Sequence, residues 1–286
     1  MKYIGLNINS SKDKDGVILK EVKDCIKSVF KESEIVVFKD SLAEDNIYAD
    51  KIEIMITLGG DGTIIRTARA LCMNNIPIFG VNIGNLGFLA SVEKRELLHA
   101  LKLIAQEEFS VEDRMMISCE VNMLGDKFSY DSLNDIVLSK GTLARMVKYE
   151  IRVDDTLYTE FSADGVIIST PTGSTAYALS AGGPIIYPTL SLIEITPICP
   201  HSPGLRSLIL DSKSKVSIFI KHWNESVFLT VDGQESLRLA EGAEINIGLS
   251  SCKCRLIRLN NYDYFKVLRD KIIWRTREIN CEGEYL

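Results

Sequence analysis

The sequence has no excess of positive charge: 33 Lys+Arg stand against 39 Asp+Glu, for a formal net charge of -6. Such a chain does not bind nucleic acid through its overall field, so an anionic ligand must be met locally. Long apolar runs are also missing. The opening residues Met1 to Leu6 turn polar by Asn7, so neither a signal peptide nor a membrane span is expected. The cysteines Cys25, Cys72, Cys119, Cys199, Cys252, Cys254 and Cys281 lack the even number and paired spacing of a disulfide framework. They read as reduced thiols, and the expected location is cytoplasmic. Cys252 and Cys254 are two residues apart, which puts them on one face of a strand, and no second Cys or His pair completes a zinc site. Repeats, low-complexity tracts and linker-like stretches are absent as well. The 286 residues, 46% hydrophobic and 25% charged, have globular composition and length for two domains.

The first hundred or so residues alternate strand-like and helix-like segments. A strand over Tyr3 to Ile8 precedes a helix whose apolar stripe is Ile18, Val22, Cys25, Ile26 and Val29. Strand-like runs follow at Ile35 to Phe38, Ile54 to Leu58 and Ile76 to Val81, with helices expected over Thr63 to Met73 and Glu93 to Glu107. This alternation predicts a parallel, doubly wound α/β sheet. After Phe109 the pattern changes to short runs rich in Val, Ile and Tyr separated by turn residues, from Ser118 to Met123 through Ile245 to Ile247 and Arg255 to Leu259. A second, mostly antiparallel β domain is expected there, with its boundary near residue 108.

The sharpest local feature is Gly59-Gly60-Asp61-Gly62-Thr63, between a buried strand and a helix. Its glycines let backbone N–H groups approach a ligand closely, and the helix N-terminus favours an anion, so Gly59, Gly60, Gly62 and Thr63 form a candidate phosphate loop. The loop is neither a Walker A sequence nor a Gly-x-Gly-x-x-Gly fingerprint. Asp61 beside a phosphate reads either as a general base or, like Thr63, as a helix cap, and physics alone leaves both open. A second glycine loop, Gly80 to Leu89, follows the next strand; it would face the same crevice in a doubly wound sheet, or be an ordinary turn. In Thr170 to Pro184, small residues and hydroxyls leave room for a flat ring, with Tyr177 available for stacking. Asn134-Asp135 and Asp232-Gly233-Gln234 do not rise above turn chemistry by themselves.

Taken together, these residues resemble the NAD kinase family. Gly59 to Thr63 and Thr170 to Pro184 match its two signatures, and the likeness runs in order through Gly80 to Leu89, Asn134-Asp135, Pro200-His201-Ser202 and Asp232-Gly233-Gln234. The resemblance implies a Rossmann-like N-terminal α/β domain (1–108 with 262–286) and a C-terminal β-rich sandwich (109–261). It implies that Asp61 is the proton acceptor, with Gly62 and Arg66 beside it in the NAD site. Asn134 and Asp135 would hold the adenosine ribose region. Arg145, Asp164, Thr175, Ala176, Tyr177, Ser180 and Gln234 are similar to further NAD contacts. Ser162, Ser191-Leu192 and Ser202-Pro203-Gly204-Leu205 depart from the family pattern.

The implied reaction moves the γ-phosphate of ATP to the 2′-hydroxyl of NAD's adenosine ribose, forming NADP. A divalent ion, Mg²⁺, would be held mainly by the ATP phosphates, since no dedicated protein metal cage is legible. The implied partners are NAD, ATP and further copies of the chain, as a homodimer or homotetramer, without nucleic acid or membrane. Two other readings share parts of the pattern. A diacylglycerol- or sphingosine-type lipid kinase would share the glycine loop but lack the Thr170 to Pro184 signature. A non-catalytic NAD sensor would have no use for Asp61.

Overall fold

The computed structural model describes residues 1–40, 51–84, 87–141, 146–202, 204–221 and 226–273. They divide into two compact units, one of Met1–Glu112 with the chain from Arg255 onward, the other of Asp113–Cys254. The divisions thus lie after Glu112 and Cys254, not after residues 108 and 261. Each falls inside a long strand, Phe109–Met123 or Glu244–Leu259, so no change of periodicity marks it.

The first unit runs β1 (Tyr3–Ile8), α1 (Val17–Val29), β2 (Glu34–Lys39), β3 (Ile54–Gly59), α2 (Asp61–Leu71), β4 (Ile78–Asn82), the short β5 (Val92–Glu93) and α3 (Leu97–Ala105). Its strands lie in the order β4-β3-β1-β2, and every pair among these four is parallel. Ile4, Leu6 and Ile8 of β1 and Ile54, Ile56 and Leu58 of β3 pack in one core with Val22 and Ile26 of α1 and Leu101 and Ile104 of α3. Burying each such side chain contributes about 1.5–3 kcal/mol. The other sheet face carries polar residues that bond to α2: Asn7 Nδ2 donates to Thr67 Oγ1 at 2.8 Å, and Thr67 Oγ1 donates to the Thr63 carbonyl at 2.9 Å. Helices therefore cover both faces. From β1 the chain winds to β2 on one side, and from β3 it winds to β4 on the other, so the topology reverses between β1 and β3. A crevice opens at the carboxyl ends of strands at such a reversal. The third helix begins at Leu97 rather than Glu93, because Glu93 to Glu96 form β5's end and a 3₁₀ turn closed by a capping box, with Glu93 N–H donating to Glu96 at 3.0 Å.

The second unit is a sandwich. Its strands are β6 (Phe109–Met123), β7 (Asp126–Ser132), β8 (Asp135–Lys140), β9 (Val147–Val153), β10 (Thr156–Ala163), β11 (Gly165–Ser169), β12 (Leu192–Ile198), β13 (Leu208–Asp211), β14 (Val216–Ile220), β15 (Val227–Val231), β16 (Glu235–Arg238) and β17 (Glu244–Leu259). One antiparallel sheet has the order β13-β12-β11-β8-β15-β16; β10-β9-β14-β17, with β6 and β7, make the other. Alternate residues such as Ile136, Leu138, Val166 and Ile168 meet Tyr149, Ile151, Val216 and Ile218 in a shared core. The two runs at Ile245 and Arg255 form one strand, β17, and Cys252 and Cys254 are buried on it. Strands β10 and β16 were not expected, since half-exposed polar residues break their apolar pattern. On the outer face of the six-stranded sheet, Val137 and Ile167 pack against Ala178 of the single-turn helix α4 (Tyr177–Ser180). After β17 the chain forms α5 (Tyr264–Leu268) in the first unit, capped by Asp263 accepting from Lys266 N–H at 3.0 Å. No helix among the described residues is long and apolar enough to cross a membrane.

Candidate active site

In the first unit, Gly59 ends β3 and Gly60 is the N-cap of α2, with no side-chain capping bond. Capping therefore falls to neither Asp61 nor Thr63. Asp61 is the first residue of the helix, and its half-buried carboxylate turns to the second glycine loop, accepting the Phe88 N–H at 2.8 Å and the Leu89 N–H at 3.1 Å. The loops after β3 and β4 are thereby fastened together. Gly87 makes this approach possible, for a Cβ there would collide with the Asp61 carboxylate. The backbone repeats the link, with Ile83 N–H donating to the Gly59 carbonyl at 3.3 Å. Gly62 is exposed, Thr63 N–H donates to the Gly60 carbonyl at 3.0 Å, and exposed Arg66 donates to the Asp40 carbonyl at 3.3 Å. The result is an anion-receptive helix N-terminus with an oriented carboxylate at its first residue.

In the second unit, a cavity of about 350 Å³ lies beside the outer face of the six-stranded sheet, lined by Asn134, Asp135, Val137, Ser139, Ala176, Tyr177, Thr230, Asp232 and Gly233. Asp232 organises one wall. Its carboxylate accepts from Ser132 Oγ at 2.6 Å and from the backbone N–H groups of Leu133, Asn134 and Asp135 at 3.1, 2.7 and 3.2 Å. The signature segment docks on the same turn: Thr170 N–H donates to the Asn134 carbonyl at 2.9 Å, Thr170 Oγ1 to the Leu133 carbonyl at 2.5 Å, and a Cβ at Gly173 would overlap the Asn134 carbonyl. Asp135 is only 4% exposed, and burial, reinforced by the charge of Asp232, pushes its carboxyl up to about 7. Asn134 Oδ1 is buried without a hydrogen-bond donor, an acceptor that a bound ligand would satisfy.

Both halves of the chain match family models, the ATP-NAD kinase N-terminal domain over residues 10–109 and the ATP-NAD kinase C-terminal domain over 133–259. An NAD kinase of Clostridium botulinum (strain Kyoto / Type A2) is 49% identical over 284 residues, covering 99% of this chain and 100% of that protein. The chain belongs to the NAD kinase family. Its activity is that of an NAD kinase, a kinase that transfers phosphate to NAD. The NAD kinase of Clostridium beijerinckii is 45% identical over 287 residues, with full coverage of both chains. Among solved structures, yeast NADH kinase complexed with NADH has a TM-score of 0.82 at 25% identity, covering 96% of this chain and 87% of that one. An Archaeoglobus fulgidus NAD kinase in complex with ATP has a TM-score of 0.76 at 27% identity, covering 94% and 98%.

Of the NAD-kinase residues anticipated from sequence, Asn134, Asp135, Ala176 and Tyr177 line this cavity, and Tyr177 is 46% exposed. Asp164, Thr175, Ser180 and Gln234 do not line it. Asp164 pairs with Lys140 at 2.7 Å, Thr175 Oγ1 donates to the Thr172 carbonyl at 3.3 Å, Ser180 is exposed at the end of α4, and Gln234 N–H closes a turn onto the Val231 carbonyl at 2.9 Å. Arg145 lies outside the described residues. Sequence reasoning missed the organising role of Asp232, which looked like a turn residue; its φ of 51° is indeed turn-like, and only the folded chain brings Leu133 to Asp135 against it.

Proposed function

We propose that the chain transfers the γ-phosphate of ATP to the 2′-hydroxyl of the adenosine ribose of NAD, with Asp61 accepting the hydroxyl proton. The ribose oxygen forms its bond to the γ-phosphorus as the bond from that phosphorus to the bridging oxygen breaks, and ADP leaves with the charge. Positioning and electrostatics dominate such transfers. The observation that carries the reading is Asp61 itself, whose two backbone donors fix the carboxylate's direction at the head of α2 while leaving lone pairs to take a proton. Glycine-loop N–H groups and the helix dipole would receive the phosphates. NAD would occupy the cavity beside Asn134, Asp135 and Tyr177, with the exocyclic amine of a ring donating to Asn134 Oδ1 and ribose hydroxyls facing Asp135.

A divalent cation fits this chemistry. Asp61 is the sole carboxylate on the first glycine loop, and no cluster of three ligand side chains surrounds it among the described residues. That donor set suits Mg²⁺ carried by nucleotide phosphates and water, where it would neutralise charge on the transferring group. Arg66, Asp164, Thr175, Ser180 and Gln234 would make supporting contacts to NAD, and the chain would work in the cytoplasm as a homodimer or homotetramer. Light scattering is expected to return a multiple of 32.0 kDa; a single-chain mass with full activity would exclude the assembly.

The test offers the purified protein labelled Mg·ATP with NAD, diacylglycerol or sphingosine. Label is expected in NADP alone. Label in a lipid, or NAD binding without NADP formation, would overturn the reading.

A further inference from the structure

We propose that Lys12 is the side chain that grips the phosphates of the donor nucleotide. This rests on the kinase reading above and adds a cation that the glycine signatures do not contain. Lys12 ends a 3₁₀ turn, Ser10–Lys12, that directly follows β1, while Gly60 follows β3 and Gly84 follows β4. These strand ends frame the topological reversal of the sheet, where α/β folds take their ligands. The Lys12 ammonium reaches across it, 3.7 Å from where a Cβ of Gly60 would stand and 3.1 Å from where that of Gly84 would. One exposed lysine thus lies over both glycine loops, above backbone that is bare because it has no side chain.

The turn is held in place from both ends. The Asn9 side chain accepts from Ser11 N–H at 3.0 Å and Ser11 Oγ at 2.6 Å, and Asn9 N–H donates to the Leu58 carbonyl of β3 at 3.2 Å. Two acids beside this turn already have hydrogen-bond partners other than Lys12. Asp13 accepts the Ile18 and Leu19 N–H groups at the head of α1, each at 2.9 Å. Asp40 accepts from the N–H and hydroxyl of Ser10, which hold its carboxyl below the usual range. Among the described residues no carboxylate forms an ion pair with Lys12. A lysine that served only solubility would extend into water; this one lies along the loops that face the anion, with its charge unspent. On transfer, negative charge moves to the oxygen that leaves with ADP, and an ammonium there strengthens its hold as the reaction proceeds.

The experiment compares full-length wild type with Lys12→Met, Lys12→Arg and Lys14→Met, the last removing a neighbouring exposed charge. Steady-state kinetics with varied ATP and varied NAD are combined with calorimetry of Mg·ATP binding, which needs no turnover. Losing a charged hydrogen bond is expected to lower kcat/KM for ATP and Mg·ATP affinity by about 10- to 150-fold in Lys12→Met. KM for NAD should stay within about twofold, since the change is confined to the donor side, and Lys14→Met should behave as wild type. Lys12→Arg keeps the charge with a different fork and should recover part of the loss. Unchanged Mg·ATP affinity in Lys12→Met, an equal loss in Lys14→Met, or a matching rise in KM for NAD would each overturn the proposal. Wild type that binds Mg·ATP but makes no NADP would instead sink the kinase reading, and calorimetry would still decide on Lys12.

Discussion

Replacing Asp61 with Asn separates what the carboxylate does as a base from what it does as a fastener. From sequence, the bland alternative for Asp61 is a helix cap, a role in which Asn serves equally well and stability hardly moves. The structure changes that expectation, because Gly60 is the cap and the carboxylate accepts two N–H groups, of Phe88 and Leu89. An asparagine has one acceptor oxygen and must set its NH₂ against the other donor. Losing one charged hydrogen bond costs about 1.5–3 kcal/mol, and losing a negative charge in the first turn of a helix adds roughly 0.3–1 kcal/mol. A total of about 2–4 kcal/mol corresponds to a drop of several degrees in thermal midpoint for a chain of this size. General-base loss should also lower NADP formation roughly 10²- to 10⁴-fold. The assay couples NADP to an NADP-specific dehydrogenase at saturating NAD and ATP, with thermal melts alongside. Gly87→Ala provides the counterpart, since its methyl strikes the same carboxylate while leaving the base in place. It should share the stability loss with a smaller fall in rate. Asp61→Asn with activity within a few-fold of wild type would remove Asp61 from the chemistry, and an unchanged melting temperature would refute the fastening.

Two further outcomes follow from the cavity in the second unit. Tyr177→Ala removes a half-exposed ring from its wall and should raise KM for NAD severalfold with little change in stability; an unchanged KM in folded protein would dissociate the Thr170 to Pro184 segment from NAD. Asp135→Asn tests the buried carboxyl through pH. Its folded pKa of about 7 lies above the ordinary 3.8, so its contribution to stability is full below about pH 4 and is lost as pH rises through 7. The variant's advantage over wild type should therefore be near zero at pH 4, grow as pH rises from 4 to 7, and level off above neutrality at up to about 4 kcal/mol in denaturant melts. A pH-independent difference would mean that Asp135 is not raised.

Most of the architecture was legible locally. Apolar periodicity in Tyr3 to Leu58 required buried strands and one-faced helices, and the glycines around Asp61 required a tight strand-to-helix turn whatever the rest of the chain did. Such features rest on backbone sterics and on periods of 2 and 3.6 residues, which a short window contains. Where neighbours supplied the pattern, sequence was silent. Strands β10 and β16 exist because adjacent strands pair with them, and β17 runs unbroken through polar positions for the same reason. The direction of the Asp61 carboxylate depends on a loop 27 residues away, the clamp of Asp232 on Asn134 spans 98 residues, and Lys12 meets Gly60 and Gly84 only because three parallel strands end side by side. Residue types and local turns were determined by the sequence alone. Which donor met which acceptor was decided by tertiary structure, because hydrogen bonds and charges act over a few ångströms in space whatever separates their partners along the chain.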